Sequence, residues 1–445
     1  MPTAERALMW FRRDLRLADN PALDAAIAAG ADGVLGVFIL DDRLLRTAGS
    51  TRTRFLIESI NELKAEYEAR GGEFVVAKGD PRTELDRLVS KYEATSVHAA
   101  ADFTPVARRR DDGLELSVTG SPYAVAPGRI HKDDGTPYKV FTPYYKRWLD
   151  HGWRTPVAAP DTIPSAAAAI KSAALPKPPS APGPPGGESA AIARWKEFLD
   201  DDLADYNSNR NRPDLDSTSR ISPYLHFGCI HPRTLLADLG NRHGAGATSY
   251  RRELTWRDFY ADVLWHNPES AHHYLDPRFA DMEYASGKSA ADRLQRWKDG
   301  KTGYPIVDAG MRQLLAEGWV HNRVRMIVAS FLVKDLHLEW TAGAQHFMDH
   351  LVDADVASNQ HGWQWVAGCG TDAAPYFRVF NPMLQGRKFD PQGDYVRRYV
   401  PELRSLEGAQ AHEPHELGLD YPAPIVDHFV EREVALERYK ELPAR

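Results

Sequence analysis

Residues 7–40 read ALMWFRRDLRLADNPALDAAIAAGADGVLGVFIL, and this stretch decides the fold. Its two ends, 7–11 (ALMWF) and 33–40 (GVLGVFIL), are short apolar runs rich in the β-branched and aromatic residues that suit strands. Between them Asn20 stands before Pro21, the cap-then-proline order that opens a helix, and an amphipathic stretch over 21–29 follows. The pattern then repeats. Runs 73–77 (EFVVA), 95–100 (TSVHAA) and 122–126 (PYAVA) are further strand candidates, and stretches 51–70 and 81–92 supply helices between them. Such alternation predicts an α/β domain over residues 1–130, a doubly wound, Rossmann-like parallel sheet covered on both faces. A dinucleotide site would place GxGxxG directly after the first strand, but that strand runs into ArgArgAspLeuArgLeu (12–17), so the phosphate fingerprint is missing. Ligands of such sheets lie beyond the carboxyl ends of the strands, which puts 38–42 and 101–103 beside the expected pocket.

Working outward, residues 155–190 are rich in Ala, Pro, Ser and Gly and show neither strand nor helical period, so 131–190 is expected to be an interdomain linker. From Ala191 the period is helical, over 191–205, 249–266, 289–299, 305–317, 320–334, 342–352 and 426–441, predicting an all-helical domain over 191–445. A chain of 445 residues exceeds what one core sustains, in keeping with two domains. No apolar run approaches the ~18 residues of a membrane span, and the opening MPTAERALMWFRRDLRL carries charges through any would-be export core. Cys229 and Cys369 are the only cysteines and form no CxxC pair, as in a reducing compartment. A cytoplasmic protein without membrane contact is expected. Net charge of −7 argues against indiscriminate nucleic-acid binding, yet the tail after residue 400 holds 10 acidic against 5 basic residues, so a local basic face stays open elsewhere.

The densest chemistry lies in GWVHNRVRMIVASFLVKDLHLEW (318–340) and DADVASNQHGWQWVAGCGTDAAPYFRVFNP (353–382). Acids (Asp353, Asp355), amides (Asn322, Asn359), arginines (Arg323, Arg325, Arg378) and four tryptophans (Trp319, Trp340, Trp363, Trp365) occur there without a nucleophile–base pair for hydrolysis. That mixture suits a large aromatic cofactor held by hydrogen bonds. Asn322 and Met326 share a helix face, and Arg325 is placed to pair with a buried carboxylate such as Asp353. Asp355, Asn359 and Trp363 recur every fourth residue, although Gly362 makes a continuous helix doubtful. Upstream, Tyr206 and ThrSerArgIleSer (218–222) offer hydroxyls and a guanidinium for a diphosphate, or alternatively a Ser/Thr capping turn. In RRELTWRDFY (251–260) helical spacing stacks Glu253, Trp256 and Tyr260, a carboxylate for a base edge and rings to stack on it; the bland alternative is a core helix with an exposed glutamate. His346 and His350 are four apart but form no HExxH, and no metal site is expected.

Together MWFRRDLRL (9–17), TSRIS, RRELTWRDFY, GKTGYPIVDAGMRQL (300–314), GWVHNRVRM, DADVASNQHGWQW and TDAAPYFRVFNP resemble the DNA photolyase/cryptochrome family, and within it the class I cyclobutane pyrimidine dimer photolyases. The resemblance implies FAD, active as FADH⁻, folded in the helical domain. Tyr206, Thr218, Ser219, Arg220, Ile221 and Ser222 match its phosphate-binding positions, Asp353, Ala354 and Asp355 the segment along ribose and flavin, Asn322 and Arg325 further contacts, and Asn359 the residue facing flavin N5. It implies light-driven electron transfer into a flipped-out dimer, photolyases being among the enzymes that extrude their target bases. Glu253 would hydrogen-bond the dimer, Trp256 and Trp365 stack on it, and Tyr260, Asn322 and Met326 complete the pocket, while Arg210, Arg323, Arg378 and Gln385 would lie near the strand.

Trp363 and Trp340 match the first two members of the chain that reduces an oxidised flavin under light. An ungapped count from Trp297 puts Gly287 at the usual third tryptophan, and Tyr284 is the nearest aromatic replacement. The N-terminal domain would carry an antenna, 8-hydroxy-5-deazaflavin or alternatively methenyltetrahydrofolate, with Phe38, Arg54 and Asp102 as contacts. The partner implied is DNA containing pyrimidine dimers, met by a monomer that joins the nucleoid when bound. The alternative is a cryptochrome-type blue-light photoreceptor without repair. Plant-type receptors tend to carry aspartate opposite N5 and a long tail, whereas here Asn359 stands there and about 45 residues follow Val400.

Overall fold

The computed structural model describes residues 4–372 and 377–443, so residues 373–376 of the TDAAPYFRVFNP motif lie outside the described residues. Five parallel strands, β1 (Arg6–Phe11), β2 (Gly33–Leu40), β3 (Glu73–Lys78), β4 (Ser96–Ala99) and β5 (Ser117–Val118), form one sheet in the order β3-β2-β1-β4-β5. The order reverses beside β1, as in a doubly wound fold, and register pairs such as Leu8 with Leu35 and Val37 with Val75 keep the central strands apolar throughout. Helices α1 (Pro21–Ala29), α2 (Ser50–Ala69) and α3 (Pro81–Tyr92) connect the strands. The Asn20 side chain accepts the Leu23 N–H, and that of Asp80 accepts those of Arg82 and Thr83, so the caps legible in sequence are made.

The fifth strand is not where the apolar run PYAVA placed it. Residues 122–126 form an irregular segment, while β5 is the short, exposed Ser117–Val118. The run is buried for a different reason: helix α4 (Ala245–His266) presents carboxylates that replace ladder partners. Asp258 Oδ2 accepts the Val125 N–H at 3.0 Å, and Asp262 Oδ1 accepts that of Gly128 at 2.7 Å. The proline-rich connection also lacks helix or strand over 152–187. Backbone bonds pin it, with Val34 donating to Pro164 at 2.8 Å and Ala173 to Val76 at 2.7 Å.

By contacts the chain falls into two compact units. The first comprises Met1–Tyr138, Thr142–Ala204 and Ser219–His266; the second comprises Lys139–Phe141, Asp205–Thr218 and Asn267–Arg445. The second is helical, with α5 (Pro305–Glu317), α6 (Asn322–Ser330), α7 (Trp340–His350), α8 (Val356–Ala367) and α9 (Pro382–Phe389) around a core that includes Trp297, Val324, Phe347 and Trp363. Gly362 does not break α8. A glycine inside a helix costs about 1 kcal/mol relative to alanine, which packing readily offsets. No helix among the described residues is long and apolar enough to cross a membrane.

Candidate functional site

In the second unit, α8 carries the centre of the candidate cofactor bed. Asp355 caps the helix, its Oδ1 accepting the Ser358 N–H at 2.9 Å. Asn359, one turn on, donates its amide group to the Ala344 carbonyl at 3.1 Å and to Gln360 Oε1 at 2.8 Å. Both partners are oxygen acceptors, which fixes the amide orientation and leaves Oδ1 as the atom available to a ligand. Arg325 reaches the two Asp353 oxygens with Nη2 at 2.9 and 3.2 Å while its Nε donates to the Val320 carbonyl at 2.7 Å. The pair foreseen from the sequence is therefore formed, and it lets Asp353 and its neighbour Ala354 be buried without stranding a charge. Trp363 is also buried, seated on Gly343: a Cβ there would lie 2.2 Å from the indole. Edge-on contacts to Phe347 at 5.1 Å and Trp297 at 6.1 Å complete its seat.

The hydroxyl segment is divided between the units. Tyr206, Ser217 and Thr218 belong to the second, and Ser219, Arg220, Ile221 and Ser222 to the first. The hydroxyls are not equivalent. Ser219 Oγ already accepts the Tyr250 O–H at 2.8 Å and the Ile221 N–H at 3.4 Å. Ser217, which sequence reasoning passed over, has a buried hydroxyl without a hydrogen-bond partner among the described residues. An unspent buried hydroxyl costs stability unless something satisfies it, and a phosphate oxygen would do so. Arg220 adopts φ +47°, uncommon for a residue with a side chain, and Ser222 opens the short helix Ser222–Phe227. Within the second unit, the unspent Ser217 hydroxyl and the oriented Asn359 amide are groups that fit FAD.

The candidate nucleic-acid residues of the second unit share a field. Burial first, then repulsion from Arg210 and Arg378, pulls the Arg323 guanidinium down to about 10. The three arginines thus add to one positive field. Arg323 is steadied by Asn211 Oδ1 at 2.9 and 3.2 Å and lies 4.6 Å from the Phe389 ring centroid, while Arg210 lies 5.9 Å from that of Tyr206. Gln385 sits half-buried on α9, Asn322 is exposed at the start of α6, and Met326 packs against the core. Trp365 is half-buried, its Nε1 donating to the Asp372 carbonyl at 3.2 Å.

In the first unit, Glu253, Trp256 and Tyr260 form a half-exposed stripe on α4, with the indole and phenol rings 5.3 Å apart. The opposite face, including Leu254, Asp258, Phe259 and Asp262, is buried. The core-helix reading is thus right about one face, and the other is half-exposed.

An aromatic series leads from the buried Trp340 towards the surface of the second unit. Trp340 meets Tyr274 edge-on at 6.3 Å, and Tyr274 stacks on Tyr284 at 6.3 Å with their planes 12° apart. Both tyrosines are half-exposed. Tyr274 was missed because ten residues separate it from Tyr284, a spacing tied to no element. Gly287 has φ +79° at the first position of Gly287–Lys298 and faces open space. Burial pushes the Tyr274 phenol up to about 12 and the Tyr284 phenol higher still, so both rest protonated.

The antenna candidates of the first unit are dispersed. Phe38 is buried near the end of β2. Arg54 donates to Glu58 Oε1 at 2.9 Å and to the carbonyls of Pro182 at 3.3 Å and Pro184 at 2.7 Å, which commits it to the connection. Burial alone would raise the Asp102 carboxyl, but Arg13, Arg110 and Arg12 together hold it below its usual range. A cavity of about 370 Å³ in this unit lies elsewhere, beyond β5, and none of the three lines it. No group of three or more His, Cys, Asp or Glu side chains among the described residues could hold a metal ion.

Comparison with known proteins bears on both units. Residues 7–162 match the family model described as DNA photolyase, and residues 250–441 the one described as FAD binding domain of DNA photolyase. A Streptomyces griseus protein named deoxyribodipyrimidine photo-lyase is 41% identical, the match covering 98% of this chain and 99% of that protein. The crystal structure of a bacterial class III photolyase from Agrobacterium tumefaciens superposes with a TM-score of 0.90 at 37% identity, covering 99% of this chain and 98% of that one. A Synechocystis cryptochrome has the same TM-score at 28% identity, covering 98% and 100%.

Proposed function

The chain belongs to the DNA photolyase family, and from that premise we propose that it is a deoxyribodipyrimidine photo-lyase, an FAD enzyme that repairs cyclobutane pyrimidine dimers in DNA with light. The observation that carries this reading is 41% identity, over nearly the whole of both chains, with a protein of that name. When bound and reduced, FAD would supply light-driven electron transfer to the dimer, with no net redox change. Photon energy makes a hydrolytic nucleophile unnecessary, in keeping with the chemistry of 318–382.

The protein's own groups bind and orient. Tyr206, Thr218, Ser219, Arg220, Ile221 and Ser222, joined by Ser217, hold the diphosphate; Asn322, Arg325, Asp353, Ala354 and Asp355 line the cofactor. Asn359 offers its free Oδ1 to the N5 position, accepting a hydrogen bond there. On the substrate side, Glu253 hydrogen-bonds the dimer, Trp256, Tyr260, Trp365, Asn322 and Met326 enclose it, and Arg210, Arg323, Arg378 and Gln385 hold the strand. Trp363 and Trp340, continued by Tyr274 and Tyr284, form an electron path that recharges an oxidised cofactor.

We assign antenna binding to residues 1–130, the connection to 131–190 and FAD and DNA binding to 191–445. The antenna is 8-hydroxy-5-deazaflavin, or alternatively methenyltetrahydrofolate, at Phe38, Arg54 and Asp102; Arg54 would have to release its proline carbonyls to take part. Within the family, the motif set favours class I, and the alternative is class III, the class of the Agrobacterium tumefaciens photolyase. The protein works as a monomer in the cytoplasm and joins the nucleoid through DNA.

Illumination of the reduced protein with blue light and a thymine-dimer oligonucleotide should restore thymine absorbance, with none in the dark. Glu253→Ala should repair fewer dimers per absorbed photon while still binding the oligonucleotide. A photoreceptor without repair would show no recovery under either condition.

A further inference from the structure

The cavity beyond β5 is lined by Gly120, Ser121, Ala124, Val125, Ala126 and Arg129, then by His151, Gly152, Trp153, Arg154 and Arg233, all within the first unit. Its charged lining is one-sided: three guanidiniums, one imidazole and no carboxylate. Arg233 is only 5% exposed, and no carboxylate of the described residues lies within ion-pair distance of it. Its side chain meets instead the ring nitrogens of His231, at 3.3 Å each. Burial first, and then repulsion from Arg154, pulls this guanidinium down to about 10. The nearby acid, Asp19, is shared: Arg154 lies 2.9 Å from its Oδ1 and His231 Nδ1 lies 3.0 Å from its Oδ2. Arg129 stands exposed on the rim without a side-chain partner among the described residues. Asp19 and Asp258 act on Arg233 only from beyond ion-pair distance, so its burial stays costly, and an anion entering this cavity would offset that cost.

The aromatic component narrows the ligand. Trp153 lines the cavity half-buried and is backed by Trp148 at 4.5 Å, so one side of its indole is held by the protein. A volume near 370 Å³ is at the small end of ligand pockets and too large for a lone phosphate. We propose that this cavity is a second ligand site, for a small phosphate-bearing planar molecule of mononucleotide size, its phosphate on Arg129, Arg154 and Arg233 and its ring against Trp153. The proposal does not rest on the repair reading, and none of these residues serves in it.

Equilibrium dialysis with AMP on the FAD-loaded protein, without DNA, tests it, because the cofactor's own nucleotide site is then filled. Saturable binding of one AMP is expected, weakened about tenfold by Arg129→Glu on the rim, where folding is undisturbed. Trp153→Leu should weaken AMP but spare inorganic phosphate, with its melting temperature recorded alongside. Absence of saturable AMP binding, or binding unchanged by Arg129→Glu, would overturn the site. Inorganic phosphate as tight as AMP would overturn the planar ligand class. Repair of a dimer oligonucleotide by Arg129→Glu should match that of the unaltered protein, and a parallel loss of repair would reassign the rim to DNA.

Discussion

Two helices carry most of the candidate chemistry, and they are built in opposite ways. Helix α4 of the first unit buries one face and leaves Glu253, Trp256 and Tyr260 half-exposed on the other. Helix α8 of the second unit is tied on nearly every side: Asp355 caps it, Asn359 donates twice, His361 reaches Ser270 Oγ at 3.0 Å, and Trp363 fills the space over Gly343. An open face serves a guest that must come and go, whereas a tied one serves a group held permanently. The same residue type should therefore behave differently on the two helices.

Tryptophan offers the sharpest contrast and the largest effect. Trp363→Ala removes a buried ring and should cost about 3–5 kcal/mol of stability, seen as a large drop in melting temperature. Trp256→Ala should leave the melting temperature nearly unchanged but weaken binding of a dimer oligonucleotide by about 1–3 kcal/mol, the range for one stacked base. Equal destabilisation by the two substitutions would erase the distinction.

The tied helix should also be sensitive to acid. Burial pulls His361 down to about 4, against about 6.5 in an unfolded chain. As pH falls through that window the unfolded state takes up a proton that the folded state refuses, so stability is lost on acidification, at about 1.4 kcal/mol per pH unit. His346, pulled down to about 3 by burial and by His350, adds a parallel loss. In urea titrations between pH 6 and 4.5, His361→Gln should flatten the slope by one proton's worth; an unchanged slope would mean that the ties of α8 do not exclude the proton.

Periodicity and caps made much of this legible in the sequence. The expected 305–317 helix is found as Pro305–Glu317 because Pro305 opens it and Gly318, at φ +65°, closes it. The α4 stripe was equally readable, since its residues stand three and four apart on one element. What escaped was decided by distant partners. The PYAVA run is apolar whether it pairs in a sheet or lies under α4, and only Asp258 and Asp262, more than 130 residues away, settle which. Ser219 looked like its neighbours until Tyr250 took its hydroxyl, and Asn359 had no orientation until Ala344 and Gln360 gave it one.

An intermediate case lies in the arginine cluster of the second unit, where Arg323 is held by Asn211 and Phe389 yet faces two other cations. Arg323→Ala should lower DNA affinity and reduce its salt dependence by about 0.9 log units per decade of salt, the share of one phosphate contact. Relief of repulsion should leave stability within about 0.5 kcal/mol. A full salt slope in the variant would remove Arg323 from the interface.

The smallest structural effect is expected where the tied core meets the surface, at Tyr274 and Tyr284. Each phenylalanine variant removes one hydroxyl from a half-exposed ring, so stability should move by about 0.5 kcal/mol or less. The chemical effect is larger, because a phenol can give up an electron and its proton whereas a phenyl ring cannot do so on the same terms. Tyr284 lies at the outer end and donates to the Phe279 carbonyl at 3.4 Å; Tyr274 lies between it and Trp340. If electrons enter through this pair, Tyr284→Phe should slow photoreduction of the oxidised cofactor by external thiol, and Tyr274→Phe should slow it at least as much, since Tyr274 touches both Trp340 and Tyr284. Enzyme reduced chemically beforehand should repair at the normal rate in both. A slow Tyr284 variant beside a normal Tyr274 variant would mean that electrons bypass the inner ring, and normal rates in both would place the outer end of the path elsewhere in the second unit.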